Sequence, residues 1–188
     1  IKLCCITEKG INKRMAFEGL TEMVSELDNE YKNFAFLYMG HYGNWEWMSL
    51  LETKVEEHNS KMVNGYIYYP LKNKIFERIL LKLRNRLGGK SIAIKDTIRR
   101  IIELEENSRK AIIAFVSDQA PLWSGKYHWS YFFQWETPVF TGAEQMGKHV
   151  DALIFSAEME RTRRGYYRCT ISRVVNDIQR QADYEVTD

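Results

Sequence analysis

The chain lacks paired cysteines, a long apolar run and any large excess of one charge. Its three cysteines are Cys4, Cys5 and Cys169. Adjacent cysteines rarely bridge each other, the count is odd, and no C-x-x-C pair occurs. A disulfide framework and a zinc site are therefore not expected, and a reducing compartment fits. No run of eighteen apolar residues is present, so a membrane-spanning helix is not expected within these residues. The formal net charge of +2 says little by itself, and no nucleic-acid partner is expected. There is no internal repeat and no low-complexity linker.

What is present is a domain-sized chain of 188 residues, enough for one hydrophobic core, with charge unevenly placed. Residues 1–60 hold ten acidic and six basic side chains, whereas residues 72–100 hold ten basic and two acidic ones. The second block should attract anions such as phosphate, an acidic carrier protein or a lipid headgroup. Apolar runs and helical spacings alternate. Strands are expected at Ile1–Ile6, Phe34–Met39, Met62–Tyr69, Ser91–Ile94, Ala111–Val116 and Ala152–Ala157, with a half-exposed edge strand at Tyr167–Ile171. Helices are expected at Asn12–Leu27, Trp45–His58, Asn73–Leu87, Thr97–Glu106 and Thr141–Lys148. This alternation predicts a single α/β domain with a largely parallel central sheet flanked by helices.

The stretch from Phe34 to Trp47 organises the rest. An apolar run ends at Gly40, and His41, Asn44 and Glu46 follow within six residues. Asn44 is the expected N-cap of the next helix, with Glu46 in its first turn, where the dipole favours an anion. A histidine is thereby placed at the carboxyl end of a buried strand, where open α/β sheets bind ligands. If the chain folds back, the Glu46 carboxylate reaches His41, fixes its tautomer and leaves the other ring nitrogen as a base. A turn histidine beside a capped helix, with no chemistry, is the alternative.

His41-Tyr-Gly-Asn-Trp-Glu46 resembles the H-x4-D/E motif of the lysophospholipid acyltransferase superfamily. Its filling is similar to that of the lipid A late acyltransferase branch. The resemblance implies a glycerolipid acyltransferase-like fold with His41 as general base and Glu46 as the residue that orients it. Tyr69-Pro-Leu-Lys72-Asn73 and Arg86-Leu-Gly88 resemble later segments of that family, although Tyr69 stands where the family usually has arginine. Phe132-Phe133 with Thr137-Pro138 and Thr141-Gly142 resembles a further one, with Gln134 in place of a glycine. The likeness runs from about residue 34 to 175. It implies substrate contacts from Asn44, Lys72, Asn73, Arg86, Asp118 and Gln119, to which the basic stripe of the helix 73–87 adds Arg78 as an expected anion contact. It also implies an N-terminal membrane anchor and a C-terminal end outside this chain, which is then a fragment.

Three local features stand beside the resemblance. Lys74, Arg78, Lys82 and Arg86 fall four apart on the helix 73–87, next to the apolar stripe Ile75, Ile79, Leu83 and Leu87 that Phe76 and Leu80 widen. Such a stripe either is solvated or snorkels over the core to meet phosphates at a membrane surface. Ser117-Asp118-Gln119 ends the buried run Ala111–Val116. If that strand is parallel to Phe34–Met39, Asp118 and His41 emerge at one sheet edge; an Asx-turn is the plainer reading. The aromatic segment after it, Trp123 to Trp135, covers the core, lines an acyl channel or touches a bilayer interface.

The reading is an acyltransferase that moves a fatty acyl chain from an acyl carrier protein or CoA thioester to a hydroxyl or amine of a lipid A precursor or related lipid. The expected place is the cytoplasmic face of the bacterial inner membrane. No metal and no cofactor are expected beyond the donor, and no acyl-enzyme, since neither Cys nor Ser adjoins His41. Two rivals are a metal-dependent hydrolase using His41, Glu46, Asp118 and His128, and a non-catalytic anion- or membrane-binding module.

Overall fold

The computed structural model describes residues 6–58, 61–121 and 128–188. The elements run α1 (Glu8–Asn12), β1 (Met15–Glu18), α2 (Leu20–Asn29), β2 (Phe34–Met39), α3 (Leu51–His58), β3 (Val63–Tyr68), α4 (Lys74–Arg84), β4 (Lys90–Ala93), α5 (Thr97–Glu106), β5 (Ala111–Val116), β6 (His128–Phe132), β7 (Trp135–Val139), α6 (Gly142–His149), β8 (Leu153–Arg163) and β9 (Tyr166–Val175). Short 3₁₀ turns occupy Trp45–Leu50, Asn85–Leu87, Ile94–Asp96 and Ile178–Arg180. Seven strands form one sheet in the order β1-β9-β8-β2-β5-β3-β4. All neighbours in it are parallel except β8 and β9. The expected single α/β domain with a mostly parallel sheet is what the chain forms.

Alternation along β2 and β5 sends side chains to two covered faces. On one, Ala35, Leu37 and Met39 join Ile112 and Ala114 under α2 and α3. On the other, Phe34, Phe36, Ile113 and Phe115 pack with Ile101 and Leu104 of α5 and Ala143 of α6. Strands buried on both faces carry near-continuous apolar runs, which is why both were legible. Among the described residues, no helix is long and apolar enough to cross a membrane.

Several expectations are corrected. The segment expected as one helix, Asn12–Leu27, instead holds β1 followed by α2, with α1 ending at Asn12. Leu20, Met23, Val24 and Leu27 do form the buried face of α2, but Met15–Glu18 pairs with β9. Gly19 makes the switch: its φ is 78°, and a Cβ there would lie 2.0 Å from the Ile171 carbonyl oxygen. Tyr167–Ile171 is therefore not an edge strand, because β1 covers the far side of β9. The strand expected at Ile1–Ile6 lies almost wholly outside the described residues. The apolar stripe of α4 does not enter the core: no residue of that helix is buried, and Ile75, Phe76 and Ile79 are exposed. In α5 the helical spacing of Ile98, Ile101 and Ile102 predicts that all three face inward, but only Ile101 is buried, with Ile98 and Ile102 exposed. Within the described residues, the aromatic segment folds as an antiparallel ribbon of β6 and β7 and leaves its large side chains exposed instead of covering the core.

Candidate active site

β2 and β5 are adjacent and parallel, with Met39 opposite Val116. His41 and Asp118 each lie two residues beyond that pair, so register alone brings them side by side at the carboxyl edge. The His41 backbone N–H donates to Asp118 Oδ2 at 2.8 Å, and His41 Nδ1 lies 2.6 Å from Oδ1. Partial burial works against the Asp118 charge. The hydrogen bonds from the His41 backbone and ring, with the attraction of the imidazole, outweigh it and hold the carboxyl below its ordinary value. An ionised carboxylate can only accept, so Nδ1 carries a proton, and in the neutral form of the ring Nε2 is the nitrogen with the lone pair.

The carboxylate on His41 is thus Asp118, not Glu46. Glu46 stands in the 3₁₀ turn Trp45–Leu50 and receives a two-pronged ion pair from Arg84, Nε to Oε2 at 2.9 Å and Nη2 to Oε1 at 2.7 Å. Trp45 touches both halves of the site: His41 meets its ring edge-on at 4.9 Å, and the Arg84 guanidinium lies over it at 5.1 Å. Both ionic side chains of the Arg84–Glu46 pair are only about one-fifth exposed. Arg84→Ala strands a largely buried carboxylate and should cost about 2 kcal/mol of stability. Glu46→Gln should cost less, since the amide oxygen still accepts one bond. Thermal melts of the two variants check the order.

The turn between strand and helix is fixed from behind. Gly43 has φ 61°, and a Cβ on it would lie 2.7 Å from the Tyr167 ring, with Met159 also close. Tyr167 in turn packs edge-on to Trp47 at 5.6 Å. The residue of the motif with a left-handed backbone is therefore also one that leaves no room for a side chain against β9. Asn44 precedes the 3₁₀ turn but makes no side-chain cap; the first hydrogen bond there is Trp47 N–H to the Asn44 carbonyl at 2.8 Å.

A cavity of about 1060 Å³ opens beside His41, at the upper end of ordinary ligand pockets. Leu80, Leu81, Tyr68, Phe115, Ile98 and Met146 give it a mainly apolar wall. Ser117, Gln119, Glu46 and Arg84 supply polar groups near its catalytic end. Of the expected substrate contacts, only Gln119 lines this cavity. Asp118 serves His41. Asn73 caps α4, its side chain accepting from the N–H groups of Ile75 and Phe76. Lys72 and Arg78 are exposed and stand outside the cavity lining. Arg86 is partly buried, with two guanidinium nitrogens that find no partner among the described residues.

Arg84 is the site residue that sequence reasoning passed over. Its signal was present: a lone cation four residues after Leu80, inside the apolar side of a helix, calls for a carboxylate. The set weighed as metal ligands does not converge, since Arg84 holds Glu46 and the Asp188 carboxylate and Tyr184 ring hold His128. Among the described residues no group of three or more His, Cys, Asp or Glu is arranged for a metal ion. Cys169 is fully buried, and burial pushes its thiol up to about 12, which removes it as a nucleophile. Cys4 and Cys5 lie outside the described residues.

A histidine backed by an ionised aspartate stands at the carboxyl edge of an open α/β sheet, beside a mainly apolar cavity, the place where enzymes of this architecture bind their ligands. The whole chain, residues 1–188, matches the family model described as bacterial lipid A biosynthesis acyltransferase, so the chain belongs to that family and is an acyltransferase. No curated protein matches it at a significant level.

Proposed function

We propose that this acyltransferase carries a fatty acyl chain from a thioester of an acyl carrier protein or CoA to a hydroxyl or amine of a lipid A precursor, at the cytoplasmic face of the bacterial inner membrane. The observation that carries this reading is the His41–Asp118 pair at the end of an apolar cavity large enough for a chain. In the reaction His41 Nε2 takes the proton of the acceptor hydroxyl as its oxygen bonds to the thioester carbon. Asp118 holds the ring in place and stabilises the imidazolium that forms. The tetrahedral oxyanion is met by backbone N–H groups between Gly43 and Glu46, which precede the first helical hydrogen bond and are not consumed by it. The carbon–sulfur bond then breaks, and the imidazolium returns its proton to the leaving thiolate.

The apolar wall has its own energetic role. Each methylene moved from water into it contributes about 0.8 kcal/mol, so chain binding can hold the thioester carbon against His41. Arg78 and Lys82, exposed on α4, suit an acidic carrier or anionic headgroups. No metal and no further cofactor enters the proposed steps.

Direct transfer needs donor and acceptor bound together. Incubating the protein with a labelled acyl thioester alone should leave no covalent label, and double-reciprocal plots for the two substrates should intersect. A stoichiometric adduct formed without acceptor, on Ser117 or a cysteine, overturns the direct mechanism.

A further inference from the structure

We propose that the β6–β7 ribbon is a wedge that inserts into the lipid bilayer and seats the mouth of the cavity on it. This rests on the reading of the protein as an enzyme of membrane lipid, and it adds the residues and the face that meet the membrane. The ribbon turns through Phe133 and Gln134, both in the left-handed region at φ 49° and 67°. Neither is a glycine, so the turn holds a conformation that these side chains rarely adopt. What that turn presents is aromatic: Tyr131, Phe132, Phe133 and Trp135 are 75, 63, 82 and 77 % exposed.

The register says what kind of partner this tip fits. Phe132 is paired with Trp135, and Tyr131 with Glu136. Directly opposed residues share a side and successive ones alternate, so Phe132 and Trp135 point to one face and Tyr131 to the other. A ribbon lying on its own domain, or on a second copy, covers one face only. Aromatic side chains stand on both faces and at the turn, and on the second face the Tyr131 hydroxyl donates to the exposed Glu136 carboxylate at 3.2 Å. Rings on both sides with a polar group among them are suited by the boundary between lipid and water, a medium that surrounds them. Phe, Tyr and Trp are the side chains that settle at a membrane interface. The base is fixed while the tip stands out: His128 stacks on Tyr184 at 4.4 Å, and its Nε2 lies 3.1 Å from an Asp188 oxygen.

Topology places the wedge beside the cavity. The chain reaches the ribbon from the carboxyl end of β5, the edge that holds His41. It leaves through Phe140, an exposed residue of the cavity wall. The helices α4 and α5 start from the same edge, after the parallel strands β3 and β4. Their first turns expose Ile75, Phe76 and Ile98, and Tyr69 and Leu71 form exposed parts of the cavity rim. Lys72, Arg78 and Lys82 are exposed around this apolar rim and complement anionic headgroups. A lipid chain can then pass from bilayer to cavity without crossing water.

The test uses the chain with vesicles of phosphatidylcholine, with and without phosphatidylglycerol. Tryptophan emission should shift to the blue on binding and be quenched by lipids brominated near the interface, and Trp135→Phe should remove much of that quenching. The double variant Phe132→Ser, Phe133→Ser should lower vesicle partitioning about tenfold or more. Its melting temperature and its turnover of a short-chain, water-soluble thioester should stay at the wild-type level. Partitioning unchanged in the double variant, or quenching unchanged in Trp135→Phe, overturns the wedge. So does light scattering that shows a dimer broken by the double variant while vesicle binding persists. The two readings fail separately: ribbon-dependent vesicle binding without acyl transfer by the wild type removes the proposed substrates and leaves the wedge standing.

Discussion

His41→Ala is expected to lower acyl transfer about a hundredfold or more, with the melting temperature close to that of the wild type. A loss of that size is about 2.7 kcal/mol of transition-state stabilisation. The fold should not share it. His41 is an exposed residue in a turn, and its backbone N–H bond to Asp118 survives the substitution. Its ring is outside both buried clusters. Initial rates with purified variant and a labelled thioester measure the loss; near-normal turnover removes His41 from the chemistry.

Asp118→Asn should be almost as damaging, by a different physical route. The amide keeps an acceptor for one His41 donor but offers N–H to the other. If its N–H faces Nδ1, the ring must carry its proton on Nε2, the nitrogen that has to accept one from the substrate. The expected loss is again on the order of a hundredfold. A pH arm accompanies it. Asp118 has a folded pKa below its unfolded value, so the stability it contributes is present above the ordinary carboxylate range and is lost as pH falls through the lowered folded value. Acid unfolding of Asp118→Asn should lack that component. At neutral pH the variant should lose some stability and in strong acid little.

How much of this was legible in the sequence differs from element to element. β2 and β5 were read with their bounds, because a strand covered on both faces must be apolar throughout. The placement of Asp118 beside His41 followed from the assumption that these strands are parallel, and the register bears it out. The choice of Glu46 as the partner of His41 failed for a local reason. Counting along the chain cannot reveal that the helix begins as a 3₁₀ turn, nor that Arg84, from a distant helix, claims the carboxylate. β1 was hidden because Met15 fits the helical spacing of α2. Only the close approach of Gly19 to Ile171, a tertiary fact, separates them. The stripe of α4 was correctly seen as apolar and wrongly assigned to the core. Periodicity reports that a face avoids water, not what covers it, and here part of it lines the cavity and part is exposed.

The central claim is that Asp118 acts on the reaction through His41. The measurement that tests it most directly is the acyl-transfer rate of the double variant His41→Ala, Asp118→Asn beside the two single variants. Groups that work as one unit are grossly non-additive. The expected result is a double variant no slower than His41→Ala alone, within about 0.5 kcal/mol. A double variant slowed by the product of the two single losses, roughly ten-thousandfold if each is a hundredfold, would mean that Asp118 acts independently of His41.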